Sequence, residues 1–318
     1  VTLSEQALDE FRQAWRANEG DDFASRLQRQ SLEALAAEDE SLRLVLFELT
    51  SRAQSELDLH VHGATVHGHE ADAESFALFV QGMAGATKEV AKHLLGRDRR
   101  RSTLRILALT PGSVRVILRA AYPVEADGVT AQTTRTPTVD SKSLDTVALL
   151  LARSQSVGAD LTDDVLSGLA ADLPQRAHAG LKRVARAIDS QNWDISGELR
   201  SEHGFQAVQI GPAGAKALLR VLDERQESST TSTLIGTVDG TRRSIGALWF
   251  ASEGTGSIEA AVPDADLMEQ AVQHDAAKER IEAVLDVVTI IGRGANPRRR
   301  QVYTLRSIRA ISKAPGLI

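Results

Sequence analysis

The spacing of apolar residues along this chain changes repeatedly, and each change marks an element. Near 4–18 and 22–37 apolar residues recur every three to four positions, which predicts two helices. The run Ser-Leu-Arg-Leu-Val-Leu-Phe-Glu-Leu over 41–49 is almost continuously apolar and reads as a buried strand. Leu57, Leu59 and Val61 then alternate with Asp58, His60 and His62, the period-two pattern of a half-buried strand. Helical spacing returns over 72–95, where Phe76, Phe79, Val80, Met83, Val90 and Leu94 share one face. Two further strands, 103–110 and 113–122, flank Pro111-Gly112. This order predicts an α+β domain over 1–125, an antiparallel sheet with a long helix packed on it.

Residues 126–141 carry five threonines and no periodicity, and read as a linker. Helices near 142–155, 161–172 and 174–190 follow, then short strands near 193–199 and 205–210. A helix opens at Gly211-Pro212, where proline suits the first turn. Together these make a helical middle segment with short strands over 142–227. The remainder, 228–318, predicts a small five-stranded β-barrel. Its strands fall at 229–238, 243–251, 257–262, 281–291 and 301–311, with a short helix over 264–273 and a tight turn at Asp239-Gly240. Three strands, a helix and two strands is an OB-like order. An SH3-like barrel with a helical insertion has the same periodicity.

Composition narrows the chemistry. The absence of cysteine removes disulfides, zinc–thiolate sites and cysteine nucleophiles. No run reaches the roughly 18 apolar residues of a membrane span, and the opening residues lack a signal-peptide pattern, so a cytoplasmic protein without a membrane partner is expected. Thirty arginines against seven lysines, with abundant alanine, suggest a GC-rich bacterial genome. A net charge of −6 argues against a uniformly basic coat for nucleic acid and leaves local basic patches open.

Two groups of residues stand out. His60, His62, His67 and His69 are four of eight histidines and lie within ten positions. If Gly63-Ala64 were a hairpin turn, His60 would face His67 and Asp58 would face His69, with Cβ atoms about 4.5–5.5 Å apart. Neutral imidazoles at that spacing share a divalent ion such as Zn²⁺ or Ni²⁺, with Asp58 as a further ligand or as the group that orients a ring. The same alternation equally describes the solvent face of a sheet, where polar side chains belong. The second group is Arg242 and Arg243 after the first barrel strand, with Arg298, Arg299 and Arg300 before the last. In an OB-type barrel these loops flank an oligonucleotide face, and Trp249, Phe250 or Tyr303 would stack on bases. Trp249 and Phe250 are adjacent, so only one of them can be core.

Other motifs are missing. No Gly-x-Ser-x-Gly elbow, His-Glu-x-x-His helix or complete phosphate-loop spacing occurs, and His203 and His274 stand alone in the sequence. His178 falls near the apolar face of its helix and reads as a packing residue. The chain therefore reads as a non-enzymatic bacterial binding or assembly protein whose barrel contacts single-stranded nucleic acid. It needs no cofactor unless the histidines hold a divalent metal. The alternatives are a metal-dependent enzyme built on the histidine hairpin, and a protein-binding adaptor in which neither group is functional.

Overall fold

The computed structural model describes residues 5–18, 23–50, 53–66, 70–99, 104–107, 114–121, 136–157, 163–291 and 299–311. Three helices come first: α1 (Glu5–Ala17), α2 (Phe23–Glu38) and α3 (Glu40–Thr50). The third occupies the run expected to be a strand. Asp39 caps it, its carboxylate accepting from the backbone N–H of Ser41 (2.8 Å) and Leu42 (3.1 Å). Leu42, Val45 and Leu46 then fall on one buried stripe against Phe11 and Trp15 of α1. A continuous apolar run satisfies helical spacing as readily as strand burial, and here the cap decides for helix.

The central sheet contains β1 (Glu56–His62), β2 (Leu104–Leu107), β3 (Val114–Ala120), β4 (Asp194–Ser201) and β5 (Gly204–Ile210) in the order β2-β3-β1-β4-β5. All four pairings are antiparallel. The linker expected at 126–141 therefore does not separate two domains, because strands from both sides of it interleave in one sheet. The described part of that segment already enters α5 (Val139–Ser156), whose N-cap is Thr138.

Leu57, Leu59 and Val61 are fully buried, as their alternation predicts. They face α4 (Ala73–Leu94), α5 and α7 (Gln175–Gln191), while α6 (Asp164–Ala171) and α8 (Pro212–Leu222) complete the same apolar core. Helices α4 and α7 cross at Gly82 and Gly180. A Cβ on Gly180 would lie 2.7 Å from backbone atoms of Gly82 and Ala86, so only glycine allows this approach. The sheet's other face is charged. Arg115 holds Asp58 (2.7 Å), Arg119 holds Glu56 (2.6 Å) and Arg200 holds Glu198 (2.7 Å). Helix α2 brings Glu33 towards Glu198, and burial followed by Glu198 itself pushes the Glu33 carboxyl above its ordinary range.

The C-terminal strands β6 (Arg225–Arg242), β7 (Ala247–Ser252), β8 (Gly256–Ala261), β9 (Ile281–Ile291) and β10 (Arg299–Ala310) close a five-stranded barrel. Helix α9 (Ala265–Ala277) lies between the third and fourth of them. Strand β6 is a single long element that changes partner at Gly236, which pairs with Ile281 of β9 and with Ser252 of β7. Asp239-Gly240 is not the turn its sequence suggests. The register shifts between Val238 and Gly240, so the pair forms a bulge inside β6. The chain reverses later, through a 3₁₀ turn (Arg243–Ile245) and Gly246, whose φ of 61° suits glycine.

Among the described residues no helix is long and apolar enough to cross a membrane. The helix crossing yields a paired prediction. Gly180→Val should lower stability by about 3 kcal/mol, because the added methyls meet backbone rather than a flexible side chain. Gly85→Ala, in open space on α4, should raise it by up to about 1 kcal/mol through helix propensity. Urea midpoints of the two variants check both signs.

Candidate functional site

The described part of the histidine group, His60 and His62, lies on a central strand and not on a hairpin edge. Both edges of β1 are already taken: His60 pairs with Arg115 of β3 and with Ser196 of β4. His60 and His62 stack with ring centroids 6.3 Å apart and planes within 8°. The carboxylate of Asp58 is held by the Arg115 guanidinium, and its Oδ1 lies 3.8 Å from His60 Nε2. Asp58 thus acts as the partner of a half-buried arginine. His67 and His69 lie outside the described residues. His178 packs as expected, with Nε2 against the Ala170 carbonyl (3.0 Å), and burial lowers its pKa.

The barrel arginines are largely committed to carboxylates. Arg243 pairs with Glu269 of α9, and Arg299 with Glu227 (2.6 Å). Arg300 is bound to Asp164, Ser167 and Glu224, fixing β10 to α6 and to the end of α8. Arg242 is exposed, and Arg298 lies outside the described residues. Phe250 is fully buried in the barrel, whereas its neighbour Trp249 points outwards and packs against the core of the sheet region. Opposite Trp249 stands Glu259, which Arg153 of α5 reaches at 3.5 Å. Tyr303 is half-buried against the barrel core and its hydroxyl donates to Gln301 Oε1 (3.3 Å). Helix α6 covers β8 and β10 so closely that Thr304 Oγ1 donates to the Gly168 carbonyl (3.3 Å). The outer side of β7 and β8 is thus turned towards α5 and α6.

A cavity of about 530 Å³ opens where the sheet region meets the barrel. Its walls come from α5 (Lys142, Asp145, Leu149), the β4–β5 turn (His203, Phe205), the 3₁₀ turn (Ser244), the start of α9 (Asp264, Asp266, Met268) and β10 (Leu305, Arg306). The local sequence places each of these groups. Asp264 caps α9 by accepting from Leu267 N–H (3.0 Å), which sets Asp266 in the first turn. Glu202 and His203 form the tip between β4 and β5. There Ser201 Oγ accepts from His203 N–H (3.2 Å), and Gly204 takes a φ of 95°. Lys142 reaches from α5 to Asp266 Oδ2 (3.1 Å), and that bond raises its pKa.

The resulting cluster brings together Glu202, His203 and Asp266, with ligand atoms all within 4.8 Å of one another. His203 Nε2 is 3.6 Å from Glu202 Oε1 and 3.8 Å from Asp266 Oδ1. Beside it, burial pushes Asp145 up to about 7 against the opposing pull of Ser55, and its Oδ1 is enclosed without a hydrogen-bond partner among the described residues. The basic groups of the cavity are consumed. Lys142 is tied to Asp266, Arg243 to Glu269, and Arg306 to Asp172 and Asp286. Among the described residues Asp145 and Glu202 have no such cation, and the cavity lining carries four carboxylates (Asp145, Asp172, Asp264, Asp266) against Lys142, Arg243 and Arg306.

None of this is visible as a motif, because the cluster and Asp145 draw on three distant segments. The one local signal is Asp145 itself. On α5 it sits four residues from Ser141 and four from Leu149, both buried, so a carboxylate interrupts an inward-facing stripe. Comparison with protein-family models, with curated proteins and with solved structures finds no match to this chain. The fold and cavity define an α+β protein with a closed five-strand barrel and an acidic interlayer chamber, and the functional reading rests on that chamber.

Asp145 makes stability depend on pH. Below about pH 4 its carboxyl is protonated in both the folded and unfolded chain. Between there and about pH 7 the unfolded chain releases a proton that the folded one keeps, so stability falls as pH rises. Asp145→Asn should flatten that slope and be more stable than the parent at pH 8 by about 1 kcal/mol or more. Denaturant midpoints measured from pH 4 to 8 test this.

Proposed function

We propose that this is a non-enzymatic binding protein whose ligand is a small, positively charged species held in the cavity between the sheet region and the barrel. The observation that carries the proposal is the partnerless, enclosed Oδ1 of Asp145 in a chamber whose cations are all paired. A carboxylate on the wall of a chamber whose basic side chains are already paired favours a ligand that brings positive charge and hydrogen-bond donors. We further propose that the barrel is OB-like rather than SH3-like. The ring order β6-β7-β8-β10-β9, the parallel contact of β8 with β10 and the helix between the third and fourth strands support that reading. In this protein the barrel would serve as a wall of the chamber. Its loop arginines hold carboxylates, and its second and third strands face helices, so single-stranded nucleic acid is not the ligand we favour.

Thermal unfolding tests the proposal. Putrescine or agmatine at about 100 times the dissociation constant should stabilise the protein by about 2.7 kcal/mol. Succinate and a single-stranded oligonucleotide at low salt should leave it unchanged. Ser244→Trp, which fills the chamber from its exposed turn, should abolish the gain. A response to succinate or oligonucleotide and none to the amines would overturn the reading.

A further inference from the structure

Resting on the cation-binding reading above, we infer that Glu202, His203 and Asp266 form a site for one divalent transition-metal ion, Zn²⁺ or Mn²⁺, with an open position facing the cavity. A tetrahedral ion with bonds of about 2.1 Å sets its ligand atoms about 3.4 Å apart. The separations from His203 Nε2, 3.6 and 3.8 Å, need to close by a few tenths of an ångström, and the Glu202–Asp266 separation, which lies within 4.8 Å, by up to about 1.4 Å. One imidazole and two carboxylates form a mixed nitrogen and oxygen set. That set suits Zn²⁺ and Mn²⁺ better than Ca²⁺ or Mg²⁺, which take all-oxygen shells.

Two features outside the ligand set point the same way. Lys142 binds Asp266 Oδ2, leaving Oδ1 as the atom nearer His203, so the carboxylate is already oriented as an outer-shell contact would orient it. Independently, Asp145 Oδ1 is enclosed and partnerless on the wall of the same cavity. Three protein ligands and one open position is the arrangement of a site that binds or activates something, as opposed to a closed structural site.

Isothermal titration of chelator-treated full-length protein with ZnCl₂ and with MnCl₂ tests the assignment. The expected result is one ion per chain. His203→Ala and Asp266→Asn should each weaken binding by more than about 100-fold, beyond the 10–100-fold that loss of an outer-shell partner costs. Circular dichroism establishes that each variant is folded. In the unmodified protein, Mn²⁺ should broaden the His203 ring resonances at lower concentration than those of His60, His62, His178 or His274, a readout that needs no variant. Stoichiometric binding that survives His203→Ala, or first broadening at His60 and His62, would overturn the assignment. If neither metal binds while putrescine still raises the unfolding temperature and Ser244→Trp removes that effect, the chamber stands as a cation site and the metal assignment falls. If neither metal nor amine binds, both fall.

Discussion

The rest of this structure depends on one short strand having two neighbours. β1 pairs with β3 on one side and with β4 on the other, so residues from before and after the threonine-rich segment are joined by main-chain hydrogen bonds through a seven-residue element. That pairing commits its alternating side chains to opposite faces. Leu57, Leu59 and Val61 enter the helix-covered core, and Glu56 and Asp58 must find cations on the other face, which Arg119 and Arg115 provide. It also fixes where β4 ends. The tip that follows, Glu202-His203, is thereby delivered to the mouth of the chamber.

The second constraint is the seating of the barrel. Ile245, Ala247 and Ala261 belong to the same apolar cluster as the sheet strands, and Gly246 leaves room for Leu149 where a Cβ would come within 2.9 Å of it. Ion pairs from Arg300 and Arg306 to α6 and its C-terminal end lock the other side. A barrel attached this firmly buries Ile245, at the end of its turn between β6 and β7, in the same apolar cluster as Leu149 of α5. This is why residues that look like a loop grip in sequence become structural ties in space.

Much of the architecture was legible because it rests on local rules. The α1, α2, α4 and α7 spacings, the proline at the start of α8 and the alternation in β9 each announce an element whose observed bounds lie within a few residues of those expected. The failures also have local causes. The 41–49 run has too many apolar residues to show a period, and only the Asp39 cap distinguishes helix from strand. Asp239-Gly240 is chemically suited to a turn and to a bulge alike, and the pairing of β6 with β7 beyond it selects the bulge. The histidine hairpin failed because nothing in 56–69 reveals that β3 and β4 compete for both edges of β1. The Glu202, His203 and Asp266 juxtaposition is a product of topology alone and has no spacing to read.

The N-terminal helices rest on the sheet differently from everything else. Their apolar cluster of Phe11, Trp15, Ala36, Leu42, Val45 and Leu46 is separate from the main core, with Phe205 packed against its edge, and beneath them lies a field of paired charges. Little apolar area therefore ties this layer to the sheet, and the ion pairs left behind would be rehydrated if it lifted. The change from one apolar cluster to the other thus falls near residue 50, before β1 and not in the threonine-rich segment. The sheet, its helices and the barrel residues Ala247 and Ala261 share one apolar cluster, the first three helices hold another, and the face between them carries charge rather than oil.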